Sequence, residues 1–138
     1  MKLKPWLISL ILSVVLYCIA FFLPAYNELD HTLPLPGLSC FLYGWLVFEE
    51  DLLVTVAWSA NFFLLYLLPK LILAKKTSSI DLGISVLMVI ISSLSLFVGY
   101  AGSHSYTPII APFVWMASLA LIAVSVMLKQ KPIIENVS

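Results

Sequence analysis

Residues 52–76 read LLVTVAWSANFFLLYLLPKLILAKK. The apolar part has the length of a helix that crosses a bilayer core, which takes roughly 20 residues. Glu49, Glu50 and Asp51 stand before it, and Lys70, Lys75 and Lys76 close it. Asn61, near the middle, is the one strongly polar side chain in the span. The pattern predicts a membrane-crossing helix with an acidic start and a basic end. That polarity orders the rest of the chain.

Composition agrees. Of the 138 residues, 62% are hydrophobic and 10% are charged, with mean hydropathy +1.10. A soluble domain carries roughly 25% charged residues. So apolar a chain implies an all-α, polytopic membrane protein. All seven basic residues are lysine, so Arg-type bidentate recognition of phosphate or carboxylate is absent. No basic patch suggests a nucleic-acid partner.

Working outward, four spans are expected. Helix 1 covers about residues 5–23, opened by Pro5, whose missing N–H would be unpaired there anyway. Its lysine-led start resembles a signal peptide, but no small-residue cleavage site follows. Residues 24–51 form the longest loop, broken by Pro34, Pro36 and Gly37. Within it, residues 39–48 are too short to cross and carry Phe41, Tyr43, Trp45 and Phe48, residues that favour the lipid–water boundary. They are expected as a short interfacial helix. Helix 2 covers about 52–74, with Pro69 expected to kink or end its last turn. Ser78 and Asp81 match a capping box, opening helix 3 at about 80–100. Thr107 and Pro108 suggest a cap and first position for helix 4, about 108–128, followed by a short tail at 129–138.

This layout separates the charges. Lys2 and Lys4, then Lys70, Lys75 and Lys76, then Lys129 and Lys131 all fall on one side, while Glu28, Asp30, Glu49, Glu50 and Asp51 fall on the other. By the positive-inside rule both termini are cytoplasmic.

In lipid, small and hydroxyl side chains mark the faces where helices approach closely. Such stripes occur at three- and four-residue steps: Ser9, Ser13 and Tyr17; Val54, Trp58, Asn61 and Leu65; Ser85, Met88, Ser92, Ser95 and Gly99; Ala111, Trp115, Ser118, Ile122 and Ser125. One inward face per helix predicts a compact antiparallel bundle.

Residues 58–61 (WSAN) and 115–118 (WMAS) share a W-x-A-[N/S] pattern. Together with Leu23-Pro24-Ala25 and Gly44-Trp45-Leu46, they resemble a group of small, uncharacterised bacterial four-helix membrane proteins. The resemblance covers most of the chain. It implies bacterial origin and four spans, and it carries no activity to transfer.

The intramembrane candidates are Trp58, Asn61, Ser92, Ser95, Trp115 and Ser118. An amide at that depth needs a partner, and interhelical glue competes with a ligand contact as its role. The outer candidates are Phe41, Tyr43, Trp45, His31 and His104, but the histidines have no metal-ligand spacing, and a solvated rim fits them better. Cys18 and Cys40 form no C-x-x-C pair, and a disulfide between them would need the outer segment to dip inward. Lys70 and Asp81 lie where they can pair across the second turn, but Lys70 fits better as a side chain that snorkels to the headgroups. No nucleophile–base pair, phosphate loop, cofactor motif or zinc motif is present. The expectation is a non-enzymatic accessory protein of the bacterial inner membrane. Besides the bilayer, its partner would be a larger membrane protein or a second copy. The rivals are an immunity-type protein against a pore-forming toxin and a small oligomeric transporter or channel for a neutral solute.

Overall fold

The computed structural model describes residues 3–28, 34–44, 46, 52–74, 76–97 and 106–130. Four helical stretches are long and apolar enough to cross a membrane: Pro5–Phe22, Leu52–Leu73, Ser79–Phe97 and Ala111–Gln130. Expressed as elements, the chain runs α1 (Pro5–Phe22), β1 (Pro24–Glu28), β2 (Leu35–Pro36), α2 (Gly37–Tyr43), α3 (Leu52–Trp58), α4 (Ala60–Leu73), α5 (Ser79–Ser93), a 3-10 turn (Leu94–Phe97), β3 (Tyr106–Pro108) and α6 (Ala111–Gln130).

The serine stripes do what their spacing implies. Ser9 donates to the Leu121 carbonyl at 2.9 Å and Ser13 to that of Ser118 at 2.8 Å. As one number rises the other falls, so α1 and α6 lie antiparallel. Ser85, Met88, Ser92, Ser118, Ile122 and Ser125 are fully buried. They surround a core of Leu10, Ala60, Leu67, Leu71, Leu119 and Val126. Leu65 departs from its expected inward place and is 67% exposed. The buried row of α3 and α4 runs Ala57, Ala60, Leu67, Leu71, and Leu65 falls off it.

The second span is not one regular helix. Ser59 keeps helical dihedrals (φ −59°, ψ −18°), but its hydroxyl takes the Val56 carbonyl at 2.6 Å. The Phe62 N–H reaches only to the Ser59 carbonyl, at 3.0 Å, so the turn tightens there. A serine bonding back to its own helix commonly bends it. Pro69 lies inside α4, which runs on to Leu73 rather than ending at the proline. The third span tightens at its far end for a similar reason. Ser92 and Ser93 take the carbonyls of Val89 and Ile90, and the Leu94 N–H bonds to Ile91 in 3-10 fashion. Regular helix therefore stops at Ser93, short of the expected residue 100; residues 98–100 lie outside the described set.

A small sheet replaces what was expected to be loop. Its order is β2-β1-β3, all antiparallel, with Tyr26 opposite Leu35 on one side and Pro108 on the other. This overturns the expected start of the fourth span. Thr107 and Pro108 pair with Asn27 and Tyr26 as a strand, and α6 begins at Ala111. Pro112 takes the early helical place instead, where its missing N–H again costs nothing. The Tyr26 hydroxyl donates to the Ser95 carbonyl at 3.0 Å, fastening the sheet to the end of the third span.

The outer segment forms α2, two residues earlier than expected and ending at Tyr43. Two glycines let it pack. A Cβ on Gly37 would stand 2.0 Å from the Ala20 carbonyl oxygen, and one on Gly44 would stand 2.7 Å from Trp58 Cδ1. At the opposite end Ser78 and Asp81 close the expected capping box, and Thr77 donates to the Val126 carbonyl at 3.0 Å.

Candidate functional site

Of the six intramembrane candidates, the structure builds a connected group around Asn61. Asn61 is 5% exposed, and its Oδ1 accepts from the Tyr17 hydroxyl at 2.6 Å. Trp115 packs against the same buried core as Tyr17. Two separate helices, α1 and α4, therefore meet at one polar knot. An amide oxygen without a partner at this depth would keep the full cost of losing water, so the tyrosine answers a demand that the fold itself creates.

An aromatic row continues from the knot toward the sheet end. Tyr17 stands edge-on to Phe21 at 5.3 Å between ring centres, and Phe21 meets Phe41 at 5.0 Å. Phe41 meets Trp58 at 6.5 Å, and Trp58 stands edge-on to Phe62 at 5.2 Å. The Trp58 indole N–H donates to the Phe41 carbonyl at 2.7 Å. The two tryptophans of the W-x-A-[N/S] pattern thus serve different roles: Trp58 anchors α2, and Trp115 packs against the buried core.

The serines stand apart from this group. Ser92 bonds the Val89 carbonyl and Ser118 that of Trp115, each on its own helix. Their hydroxyls are turned to backbone three residues back. Ser95 differs, because its buried Oγ has no hydrogen-bond partner. Of the outer candidates, Phe41 is half-buried in the aromatic row and Tyr43 is 59% exposed. Trp45, His31 and His104 lie outside the described residues, as do Glu49, Glu50 and Asp51.

Cys18 and Cys40 are both free thiols. Burial pushes the Cys40 thiol up to about 11. Among the described residues no three His, Cys, Asp or Glu side chains gather closely enough to hold a metal ion.

Two charged arrangements mark the other end. Lys70 and Asp81 pair at 2.6 Å, the reading the sequence ranked below a snorkelling Lys70. Asp81 also accepts from Tyr66 at 3.3 Å and from the Ser78 N–H at 2.7 Å. Sequence reasoning missed the second. The Lys129 ammonium sits 4.3 Å from the Trp6 ring centre and donates to the Leu71 carbonyl. The available signal was a tryptophan near the start of the first span and a lysine at the end of the last, which antiparallel packing brings together.

A shallow cleft of about 200 Å³ opens beside the bend at Ser59, lined by Thr55, Trp58, Ser59 and Phe62. Around it the α4 surface exposes Phe62, Leu65 and Tyr66. No family model matches this chain, no curated protein is similar to it, and no solved structure matches it.

Proposed function

We propose that the chain is a four-span protein of the bacterial cytoplasmic membrane, with both termini on the lysine side, and that it acts without catalysis by packing against a larger membrane protein. The resemblance to small bacterial four-helix membrane proteins is part of the same reading. The observation that carries it is the outer face of the bent second span. Exposed Phe62 and Leu65 present an apolar surface beside a notch lined by Thr55, Trp58, Ser59 and Phe62, where the Ser59 hydroxyl is already turned to its own helix. Helices associate in lipid through close approach, and a notched apolar face offers it. Interior polar groups support the same role: Asn61 is bonded to Tyr17, and the buried serines of α5 and α6 are bonded to their own backbones. That disfavours a solute path past Asn61.

A photocrosslinking side chain at Phe62 tests the proposal in native membranes. A discrete adduct with a second membrane protein is expected there, and none from Ile11, which is equally lipid-exposed on α1. Adducts equal at both positions would sink the reading. A phenotype confined to toxin challenge, without an adduct, would favour the immunity-type alternative.

A further inference from the structure

We propose that the corner formed by Lys4, Trp6 and Lys129 binds the phosphate of an anionic phospholipid headgroup. This rests on the reading of four membrane spans, which places the corner at headgroup depth.

The corner is built rather than incidental. The Lys129 ammonium is held from two sides, by the Leu71 carbonyl and by the face of the Trp6 ring at 4.3 Å. An ammonium has three donors, and one carbonyl uses only one of them. Lys4 is the exposed N-cap of α1, two residues before the Trp6 ring on which Lys129 rests. Among the described residues neither lysine has a carboxylate within ion-pair distance, whereas Lys70 at the same end is neutralised by Asp81. Two cations gathered at one corner without an acid are unfavourable until an anion joins them. At this depth the abundant anion is lipid phosphate, and an indole beside an ammonium is the pairing expected at the boundary. Lys129 supplies the fixed donor, and the free stem of Lys4 closes over the phosphate from the other side.

The test uses the full chain in nanodiscs of phosphatidylcholine with and without phosphatidylglycerol. The readout is the phosphatidylglycerol retained per protein by native mass spectrometry. Wild-type protein should retain the anionic lipid in preference. Lys4→Gln, which removes no described contact and leaves the fold alone, should lower that retention about fivefold, the worth of one lysine near an anionic surface. Lys129→Gln should lower it further, and Lys76→Gln, at the same end but outside the corner, should leave it unchanged. Retention unaffected by Lys4→Gln, or lowered equally by Lys76→Gln, overturns the proposal. So does displacement by inorganic phosphate, which would mark a free-anion site. So does a preference that emerges only in Glu135→Gln, which would mean that the chain's own acid fills the corner. Release of the wild-type chain from membranes by alkaline carbonate would sink the four-span reading instead. A carbonate-resistant chain with no lipid preference would sink the corner alone.

Discussion

At the residue scale, the Tyr17–Asn61 contact separates structural glue from function. The hydrogen bond joins α1 to α4 at 2.6 Å. Such bonds in lipid couple helices by about 0.6 kcal/mol and seldom above about 1.7 kcal/mol, because partners are also found in the unfolded chain. A double-mutant cycle of Tyr17→Phe and Asn61→Leu, read as unfolding free energy in detergent, should give a coupling in that range. A much smaller coupling would mean that the bond does no structural work. Ser78→Ala should cost about 1 kcal/mol, the usual price of an N-cap, because Asp81 loses its reciprocal partner at the start of α5. Cys40 gives a pH test. With its thiol pushed up to about 11, the reactive thiolate is scarce at neutral pH. In a Cys18→Ser background, alkylation of Cys40 should rise about tenfold per pH unit up to that range. A rate that levels off near pH 8 would contradict the burial that raises it.

At the element scale, the glycines form a graded set. Gly37 has the backbone oxygen of Ala20 2.0 Å from where a Cβ would stand, and backbone does not yield. Gly37→Ala should therefore destabilise by about 1–3 kcal/mol, the range for forced overpacking. Gly44→Ala meets Cys40 oxygen at 2.6 Å and the Trp58 ring at 2.7 Å, so it should displace the indole from the Phe41 carbonyl and shift its fluorescence. Gly83, inside α5, has nothing within 4 Å of the same position, and Gly83→Ala should stabilise by about 0.4–1 kcal/mol. Melting temperatures ranked with Gly37→Ala lowest and Gly83→Ala above wild type are expected. Any other order would place α2 wrongly. The same scale shows what the sequence could reveal. Ser85, Ser92, Ser118 and Ser125 were readable as inward because one helix period fixes them relative to each other. The sheet was not readable, because Tyr26 finds Leu35 and Pro108 only after the chain has folded back, and Thr107-Pro108 carries the same letters as a helix start. Leu65 was misplaced because a four-residue step from Asn61 drifts off a stripe whose centre runs through Ala60 and Leu67.

At the scale of the whole molecule, the two ends differ in kind, and the fold makes that difference hard to undo. Lys4, Lys70 and Lys129 gather at the end where Thr77 is tied to Val126 and Lys129 to Leu71. The sheet gathers at the other, where Tyr26 is tied to Ser95 and the Ile109 N–H bonds the Ala25 carbonyl at 2.8 Å. Each set of ties joins different spans, so neither the first, the third nor the fourth span can reverse alone without breaking contacts at both ends. On the proposed four-span reading, topology should therefore be set for the chain as a unit by the lysine-bearing end, which the positive-inside rule assigns to the cytoplasm. A reporter inserted at Asn27, within β1, should signal from the outside, and one at Asn136 from the inside. Neutralising Lys4 alone should not invert either, because the other lysines at that end still bias the same way. Signals from the same side at Asn27 and Asn136 would require an even number of crossings between them. Three stretches of sufficient length and apolarity lie between those two positions, so that result would mean one of the three does not cross.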